Sequence, residues 1–492
     1  MIGKLSGLGS LASLCILEGG GSAKEALLAL ENGRGIIAGL VISSRSDISR
    51  LKQTNEQLYN RYMELRNAVS SPLSSRDESG NTTNDSIATA ISRRDQDLLD
   101  LERVEKEIRS LKDLSHFHTS QSVAELMRLA QFGPIVCFNA TERASTAFMV
   151  TTSGIRSVLL PGLKYEDLQT HVSLLVRGRS ITIGKSSDTD RRNEKLRIIL
   201  GWLWREAVEP VLSALGLISF KTPARLPRLW WVTCGLMGLL PLHAAGSGWG
   251  TSRENTLSHV VSSYIPTFKA LAYARQRVKP LSRKLLVVSM PNAPGFKRPL
   301  RVEKEVKEVK AHFDSPVLLN SPSREEVRES LKSANIAHFI CHGTSEAFNP
   351  SNSGLVLTDG RLTVRDPAAL SLDQAQIAYL SACSTADNKT RDLVDESIHI
   401  ASAFNLPGFP HVVGTFWPAS NKIAENVAPK FYEILNEGLQ KEDNNSDVVA
   451  RALQEAVKSL WCSNNEKMGA SGERNILSDN VIGWAPYIHI GA

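Results

Sequence analysis

The sequence predicts an α/β protein with a mostly parallel sheet covered by helices on both faces, preceded by a short α-helical region. Three observations carry this expectation. From residue 284 onward, short runs rich in β-branched and apolar residues alternate with helical patterns, the signature of βαβ units. Two of those runs, IAHFICHG with His342 and Gly343, and IAYLSACST with Cys383, stop abruptly at a reactive side chain followed by small residues. Before residue 134, apolar residues recur instead at helical spacing. In a parallel sheet such runs are buried strands, and ligands gather in the crevice outside their carboxyl ends.

At 492 residues the chain is too long for a single core, and about two to four domains are expected. Hydrophobic residues at 42% and charged residues at 22% are ordinary for a globular protein. The balance of 57 basic and 51 acidic residues leaves only +6, and Arg191, Arg192, Lys195 and Arg197 lie among Asp188, Asp190 and Glu194. That is a solvated surface, so no nucleic-acid partner is expected. Six widely separated cysteines with no CxxC pair argue against a disulfide framework or a zinc site, and for a reducing, cytoplasmic location. The opening MIGKLSGLGSLASLCILEGGG is superficially similar to an export signal, but Leu14 is too large before Cys15 and glycine interrupts the short apolar run. No apolar stretch approaches the roughly 20 residues that span a bilayer, so no membrane partner is expected.

The elements follow in order. Ala26, Leu27, Leu30, Ile37, Leu40 and Val41 keep helical spacing, weakened by Gly33 and Gly35. Leu58, Tyr62, Leu65 and Val69 form a second stripe, opened by Thr54 and Gln57 as a capping box. Residues 70–85 are polar and rich in Ser, Pro and Gly, which predicts a mobile loop. Ile87, Ile91, Leu98, Leu101, Val104, Ile108 and Leu111 make the strongest stripe, read as packing within a helical domain. Ser122 and Glu125 cap a short helix that stops near Gly133-Pro134. No internal 34-residue repeat is found, and a lone helix pair buries its own face poorly. The glycine-rich start is read as a truncation or a misplaced first exon.

From Pro134 the period changes. IVCFNA, AFMVTT and IRSVLL read as strands, the latter two as a hairpin about Ser153-Gly154; helices follow near 165–177 and 194–214, then a strand at Leu229–Val232. After the turn-rich LPLHAAGSGWG come strand KLLVVSM, a helix, strand VLL, helix SREEVRESLKSA and strand IAHFICH. Hairpin GLVLTDGRLTV, strand IAYLSAC, a helix near 394–404, strand HVVGTFW, helices at 420–438 and 445–460 and a closing strand in WAPYIHI complete the chain.

Amide hydrolysis by a thiol needs a thiolate, a proton donor for the leaving amine and N–H groups for the oxyanion. Cys383, followed by Ser384, Thr385 and Ala386, offers the first, and His342 the second, since histidine titrates near neutrality unaided. A cysteine at a strand end is also a common core residue, and a histidine there a common hydrogen-bonded one. The residues alone leave both readings open. Strand alternation turns Cys341 to the face opposite His342, while His338 shares that face at a deeper, buried position. Cys341, His342 and Cys383 lack a fourth ligand, so no metal is expected. Neither GxGxxG after a strand nor GxxxxGK[ST] occurs, which argues against a nucleotide-binding domain. Trp417 and Trp484 read as core residues.

The blocks AHFICHG, SGLVLTDG, YLSACST, VDESIHIASAF and HVVGTFWP stand in the order of a known family. Over about residues 134–492 the chain resembles the CHAT domain, a caspase-related domain associated with tetratricopeptide repeats, in its fungal form. The resemblance implies a helical tetratricopeptide-like tail over 1–133, a degenerate pseudo-caspase half over 134–280 and an active caspase-like half over 281–492. It implies a cysteine endopeptidase with Cys383 as nucleophile and His342 as general acid/base, the N–H groups of Gly343 and Cys383 receiving the oxyanion, and no cofactor. Gly343 is expected to let the chain turn sharply with its N–H free.

Asp395 and Glu396 match the family's acidic pair after the nucleophile; they contact a basic substrate side chain, hold the loop, or open the next helix. Ser353, Gly354 and Leu355 suit a wall that pairs with an extended peptide. Expected partners are a protein or peptide substrate, and a protein received by the N-terminal helices. The alternative is a non-enzymatic caspase-like scaffold that binds protein partners. One departure is Leu406-Pro407-Gly408, where the family commonly has an Ala-Gly step. The PLHAAG segment with His243 also matches, and is read as a structural element of the inactive half.

Overall fold

A computed structural model describes residues 7–34, 51–70, 84–111, 121–179, 186–219, 223–232, 234–249, 252–297, 299–344, 352–363, 372–382, 408–417, 421–440, 447–462 and 480–492, together with 114, 117, 366, 404 and 405. The chain divides into two compact units, one of Met1–Ala38 with Val123–Ala492 and one of Gly39–Ser122.

The larger unit opens with a helical hairpin, α1 (Leu8–Glu18) and α2 (Ala23–Asn32). Ser22 and Glu25 form a capping box at the start of α2, and Gly33 ends it, so the helix stops where the sequence stripe weakens. Ile37, Leu40 and Val41 lie outside the described residues.

In the smaller unit, α3 (Glu56–Ser70) and α4 (Asn84–Ser110) enclose a core of Leu51, Leu58, Tyr62, Val104, Ile108, Leu114 and Phe117. The cap of α3 corrects the expectation: Asn55 Oδ1 accepts from Leu58 N–H at 3.0 Å, one residue after Thr54. Leu98, placed on the sequence stripe, is exposed. Most of the loop expected at 70–85 and the side chains of Ile87 and Ile91 lie outside the described residues.

From α5 (Val123–Leu129) the larger unit builds an eleven-stranded sheet in the order β3-β2-β1-β4-β5-β14-β13-β12-β8-β6-β7. Its first part holds β1 (Ile135–Ala140), β2 (Ser145–Thr151), β3 (Gly154–Leu159), helices α6 (Tyr165–Arg179), α7 (Ser186–Leu203) and α8 (Glu209–Ala214), β4 (Arg228–Val232), β5 (Val261–Ile265) and α9 (Phe268–Arg277). The second part holds β6 (Leu285–Ser289), α10 (Glu303–Lys310), β7 (Val317–Asn320), α11 (Arg324–Leu331) and β8 (Ile336–Cys341). A small separate sheet follows, of β9 (Gly343–Thr344), β10 (Gly354–Leu357) and β11 (Gly360–Thr363). Then come β12 (Ile377–Ala382), β13 (His411–Thr415), α12 (Asn421–Gln440), α13 (Val448–Cys462), α14 (Val481–Trp484) and β14 (Tyr487–Gly491).

Most expected strands and helices are present; β5 and α9 were not anticipated. The helix expected near 394–404 and the Leu406-Pro407 step lie outside the described residues, save for Phe404 at its end. Gly408, at φ +141, follows that step, and a Cβ there would lie 2.7 Å from Arg277 Nη2 and 3.0 Å from the Leu372 carbonyl oxygen. No helix among the described residues is long and apolar enough to cross a membrane.

Two parallel blocks and the antiparallel hairpin β2–β3, which pairs with β1, make up the large sheet. β1, β4, β5 and β14 run parallel, as do β13, β12, β8, β6 and β7; the blocks meet where β13 pairs antiparallel with β14. The carboxyl ends of the two blocks therefore face opposite rims. The last strand of the chain completes the first block, so the two halves read from the sequence share one continuous sheet.

A buried polar chain crosses that junction. Arg228 Nη2 donates to Ser263 Oγ at 2.6 Å, Ser263 Oγ lies 2.7 Å from His489 Nδ1, and His489 Nε2 lies 3.1 Å from His411 Nδ1. A neutral imidazole has one donor and one acceptor nitrogen, so the direction of the last two bonds is set by the tautomers of His489 and His411. Both imidazoles are neutral. Burial pulls His411 down to about 3, aided by the Arg228 charge, and holds His489 well below the ordinary histidine value.

Candidate functional site

β8 lies between β6 and β12, parallel to both, and pairs with β12 over the full run Ile377↔Ile336 to Ala382↔Cys341. His342 is the next residue after Cys341, and Cys383 the next after Ala382. His342 is half-buried at the carboxyl end of β8. Cys383, Asp395 and Glu396 lie outside the described residues.

The imidazole of His342 stacks on Phe296, with ring centroids 3.8 Å apart and planes inclined by 8°. Phe296 comes from the segment Pro291–Leu300 that follows β6. Leu300 N–H closes this loop onto the Pro291 carbonyl at 2.9 Å, and Phe296 N–H turns back to Ala293 at 3.2 Å. Gly295, at φ +82, takes the left-handed conformation that aims Phe296 at the histidine. The turn signal PNAPGF at a strand's carboxyl end was visible in the sequence; its contact with a residue far along the chain was not.

Among the described groups, the buried Nε2 of His342 has no hydrogen-bond partner. Burial lowers the pKa of this side chain, so the ring is neutral at neutral pH and can accept a proton. Nothing else in the described neighbourhood competes for that nitrogen.

Gly343 departs from the expected sharp turn: it is extended and starts β9, which pairs antiparallel with β10 through Leu355↔Gly343 and Gly354↔Thr344. Val356 N–H donates to the His342 carbonyl at 2.8 Å. His342 and Val356 thus form a hydrogen-bonded pair, and by alternation Gly343 and Leu355 do not, which directs the Gly343 N–H away from β10. Strand register, rather than a turn, thus sets the direction of this N–H.

The hairpin that holds β9 is itself tied to the main sheet's rim. Thr358 Oγ1 donates to the Ser321 carbonyl at 2.7 Å, and Arg324 N–H donates to Asp359 Oδ1 at 2.8 Å. A Cβ on Gly354 would lie 2.4 Å from the Leu362 carbonyl oxygen, so glycine permits β10 and β11 to close.

The other residues singled out from the sequence fall in the core. Cys341 is buried. His338 is fully buried, 3.1 Å from Glu305 Oε1 and 3.0 Å from the Tyr432 hydroxyl, and stacks on Tyr379. Trp417 and Trp484 are buried, and Trp417 Nε1 donates to the Ile482 carbonyl. His243 is structural: its backbone N–H donates to Tyr264 Oη, whose hydroxyl bonds Nδ1 at 2.9 Å, while Nε2 reaches the Ala485 carbonyl at 3.0 Å. Burial draws its pKa down to about 3. Among the described residues no group of three or more His, Cys, Asp or Glu stands together as a metal site.

Two comparisons bear on this arrangement. The chains of two crystal structures of the Saccharomyces cerevisiae separase–securin complex, at 2.6 and 3.0 Å resolution, resemble this chain with TM-scores of 0.51 and 0.52 and identities of 12% and 11%. Each likeness covers 90% of this chain and 37% of the other, so this chain spans little more than a third of the length of those relatives. At such identities the likeness shows the fold, which is caspase-like. No curated protein matches. The family model described as "CHAT domain" matches residues 197–492, which takes in β4, β5 and β14 of the first block, the whole second block, the small β9–β11 sheet and His342 at its rim. By that match over more than half its length, the chain belongs to the CHAT domain family.

Proposed function

We propose that this protein is a cysteine endopeptidase that cleaves protein substrates with a Cys383–His342 dyad, its active half spanning 281–492 and a pseudo-caspase half 134–280. The observation that carries the reading is the register of β8 and β12, whose last pair, Ala382↔Cys341, immediately precedes the two reactive residues. In this mechanism the Cys383 thiolate attacks the scissile carbonyl carbon and the oxyanion accepts from the N–H groups of Gly343 and Cys383. His342, having taken the thiol proton, returns it to the leaving amine; water then attacks the thioester and frees the acid. The neutral ring and unoccupied Nε2 of His342 suit the first proton transfer. Asp395 and Glu396 are assigned to substrate binding, where they select a basic side chain.

Protein substrates or partners agree with the separase neighbour, whose structure is a complex with securin. The helices before residue 133 are the proposed place for a regulatory partner. A cytoplasmic location agrees with the six widely separated cysteines of the sequence, none of them in a CxxC pair.

One observation favours a second reading, a caspase-like scaffold with an unused dyad: Phe296 lies flat on the imidazole. Electrophilic peptide probes and an unbiased peptide library separate the two. The peptidase reading expects covalent labelling at Cys383, loss of labelling in Cys383→Ala, and loss of turnover in both Cys383→Ala and His342→Ala. A wild-type protein that stays inert toward every probe and peptide while binding a protein partner would establish the scaffold.

A further inference from the structure

On the far side of the larger unit from β8, a buried cation meets two thiols. Cys137 sits in β1 beside Val232 of β4, and Cys234 follows β4, so both side chains leave the same face of the sheet. Their sulfurs are 4.0 Å apart. Arg34, just beyond α2, places Nη1 2.8 Å from Cys234 Sγ and Nη2 2.6 Å from Glu31 Oε2. Glu31 Oε1 also accepts from Phe268 N–H at 2.8 Å, and Asn139 Nδ2 donates to the Ser10 carbonyl at 3.0 Å, which pins the helical hairpin over the thiols. Arg34 is 5% exposed, Cys137 0% and Cys234 4%.

A guanidinium facing sulfur in the interior has a chemical consequence. A neutral thiol is a weak acceptor, and a buried arginine gains little from it; a thiolate turns the contact into a charge-assisted one. Burial pushes the Cys137 thiol up, but the hydrogen bond from Cys234 and the charge of Arg34 outweigh it and bring it below the ordinary thiol value. The short distance between the sulfurs and the guanidinium beside them favour the thiolate form of one member of the pair.

We propose that Cys137 and Cys234 form a reversible dithiol–disulfide site, activated by Arg34 and covered by the α1–α2 hairpin. With hydrogen peroxide as oxidant, the thiolate of the pair attacks a peroxide oxygen; the O–O bond breaks, leaving a sulfenic acid and hydroxide. The second thiol gives its proton to that hydroxide, forming water, and its sulfur attacks the sulfenic sulfur. The S–S bond forms as the S–O bond breaks, and the departing hydroxide takes up the proton released by the first ionisation. Two thiols and one hydrogen peroxide yield one disulfide and two waters. Closure requires the sulfurs to approach from 4.0 Å to bonding distance, about 2.05 Å, and removes the thiolate that Arg34 faced.

The test treats the folded full chain with hydrogen peroxide, alkylates the remaining thiols and maps peptides without reduction. The expected product is a Cys137–Cys234 crosslink, reversed by dithiothreitol and absent in Cys137→Ser. Arg34→Met, which keeps most of the buried stem and removes the charge, slows crosslinking by about threefold for each unit by which the thiol pKa recovers, since the thiolate becomes scarcer but more nucleophilic. Should that variant fail to fold, the wild-type rate of crosslinking against pH serves instead, and a half-maximum below the ordinary cysteine pKa is expected. If Cys137 and Cys234 both remain alkylatable on unfolding after peroxide has oxidised the exposed Cys15, the site is merely core. Equal rates in folded Arg34→Met and wild type would equally overturn the role of the arginine.

Discussion

Phe296 governs the environment of His342. Its ring removes water from one face of the imidazole, which disfavours the charged form, and the Pro291–Leu300 loop holds it there. Phe296→Ala should therefore raise the His342 pKa toward the ordinary histidine value, read from its imidazole resonances in an NMR titration of Cys383→Ser protein. Stability should change little, by about 0.5 kcal/mol, because the ring is 41% exposed. An unmoved titration would mean that other parts of the fold desolvate the ring. At this scale the buried position expected of His338 is found, with a partner at each ring nitrogen, whereas His342 follows a strand end and its Nε2 has no partner among the described groups. The sequence did not show Phe296, because a stacking partner supplied by a distant loop leaves no periodic trace.

Strands and helices were legible where the pattern of apolar residues matched the burial they undergo. β6, β8, β12 and β13 are such runs, and the helix read in SREEVRESLKSA is α11, which a capping box of Ser323 and Glu326 opens. β5 escaped because its serines are polar yet held by tertiary partners: buried Ser263 belongs to the hydrogen-bonded chain from Arg228 to His411, and half-buried Ser262 accepts from Trp231 Nε1. Polar residues satisfied only by tertiary partners read as a turn when the partners are unknown. Gly491 in β14 is an element-scale constraint of another kind. It has φ +119, and a Cβ there would lie 2.0 Å from the Pro410 carbonyl oxygen, at the start of the β13–β14 pairing. Gly491→Ala should destabilise the larger unit by about 2–3 kcal/mol, seen as a lower thermal midpoint. An unchanged midpoint would show that this end of β14 can move without loosening the sheet.

Across the whole molecule, the antiparallel seam between the two blocks depends on neutral histidines. His411 and His243 both titrate at about 3, and His489 well below its ordinary value, all chiefly through burial. Between pH 6.5 and 3 the unfolded chain binds protons that the native chain does not, so stability falls as pH falls. The slope approaches about 1.4 kcal/mol per pH unit for each such histidine once the unfolded imidazole is fully protonated. Thermal midpoints should therefore decline steeply from pH 6 to pH 4. A flat profile over that range would mean these imidazoles are not held neutral. The alternation of strands and helices foretold a parallel sheet, but not that its two blocks run in opposite senses or that the last strand of the chain joins the first block.

Local sequence determined the α/β class, the order of most elements and the two strand ends where reactive residues stand. Those properties follow from side-chain alternation and helical spacing, which act over a few neighbouring positions. Tertiary structure alone decided that Phe296 covers His342, that pairing with β10 turns the Gly343 N–H away from that strand, and that Arg34 meets two cysteines. Each joins groups far apart along the chain, where contact depends on how elements pack and not on what either segment prefers by itself.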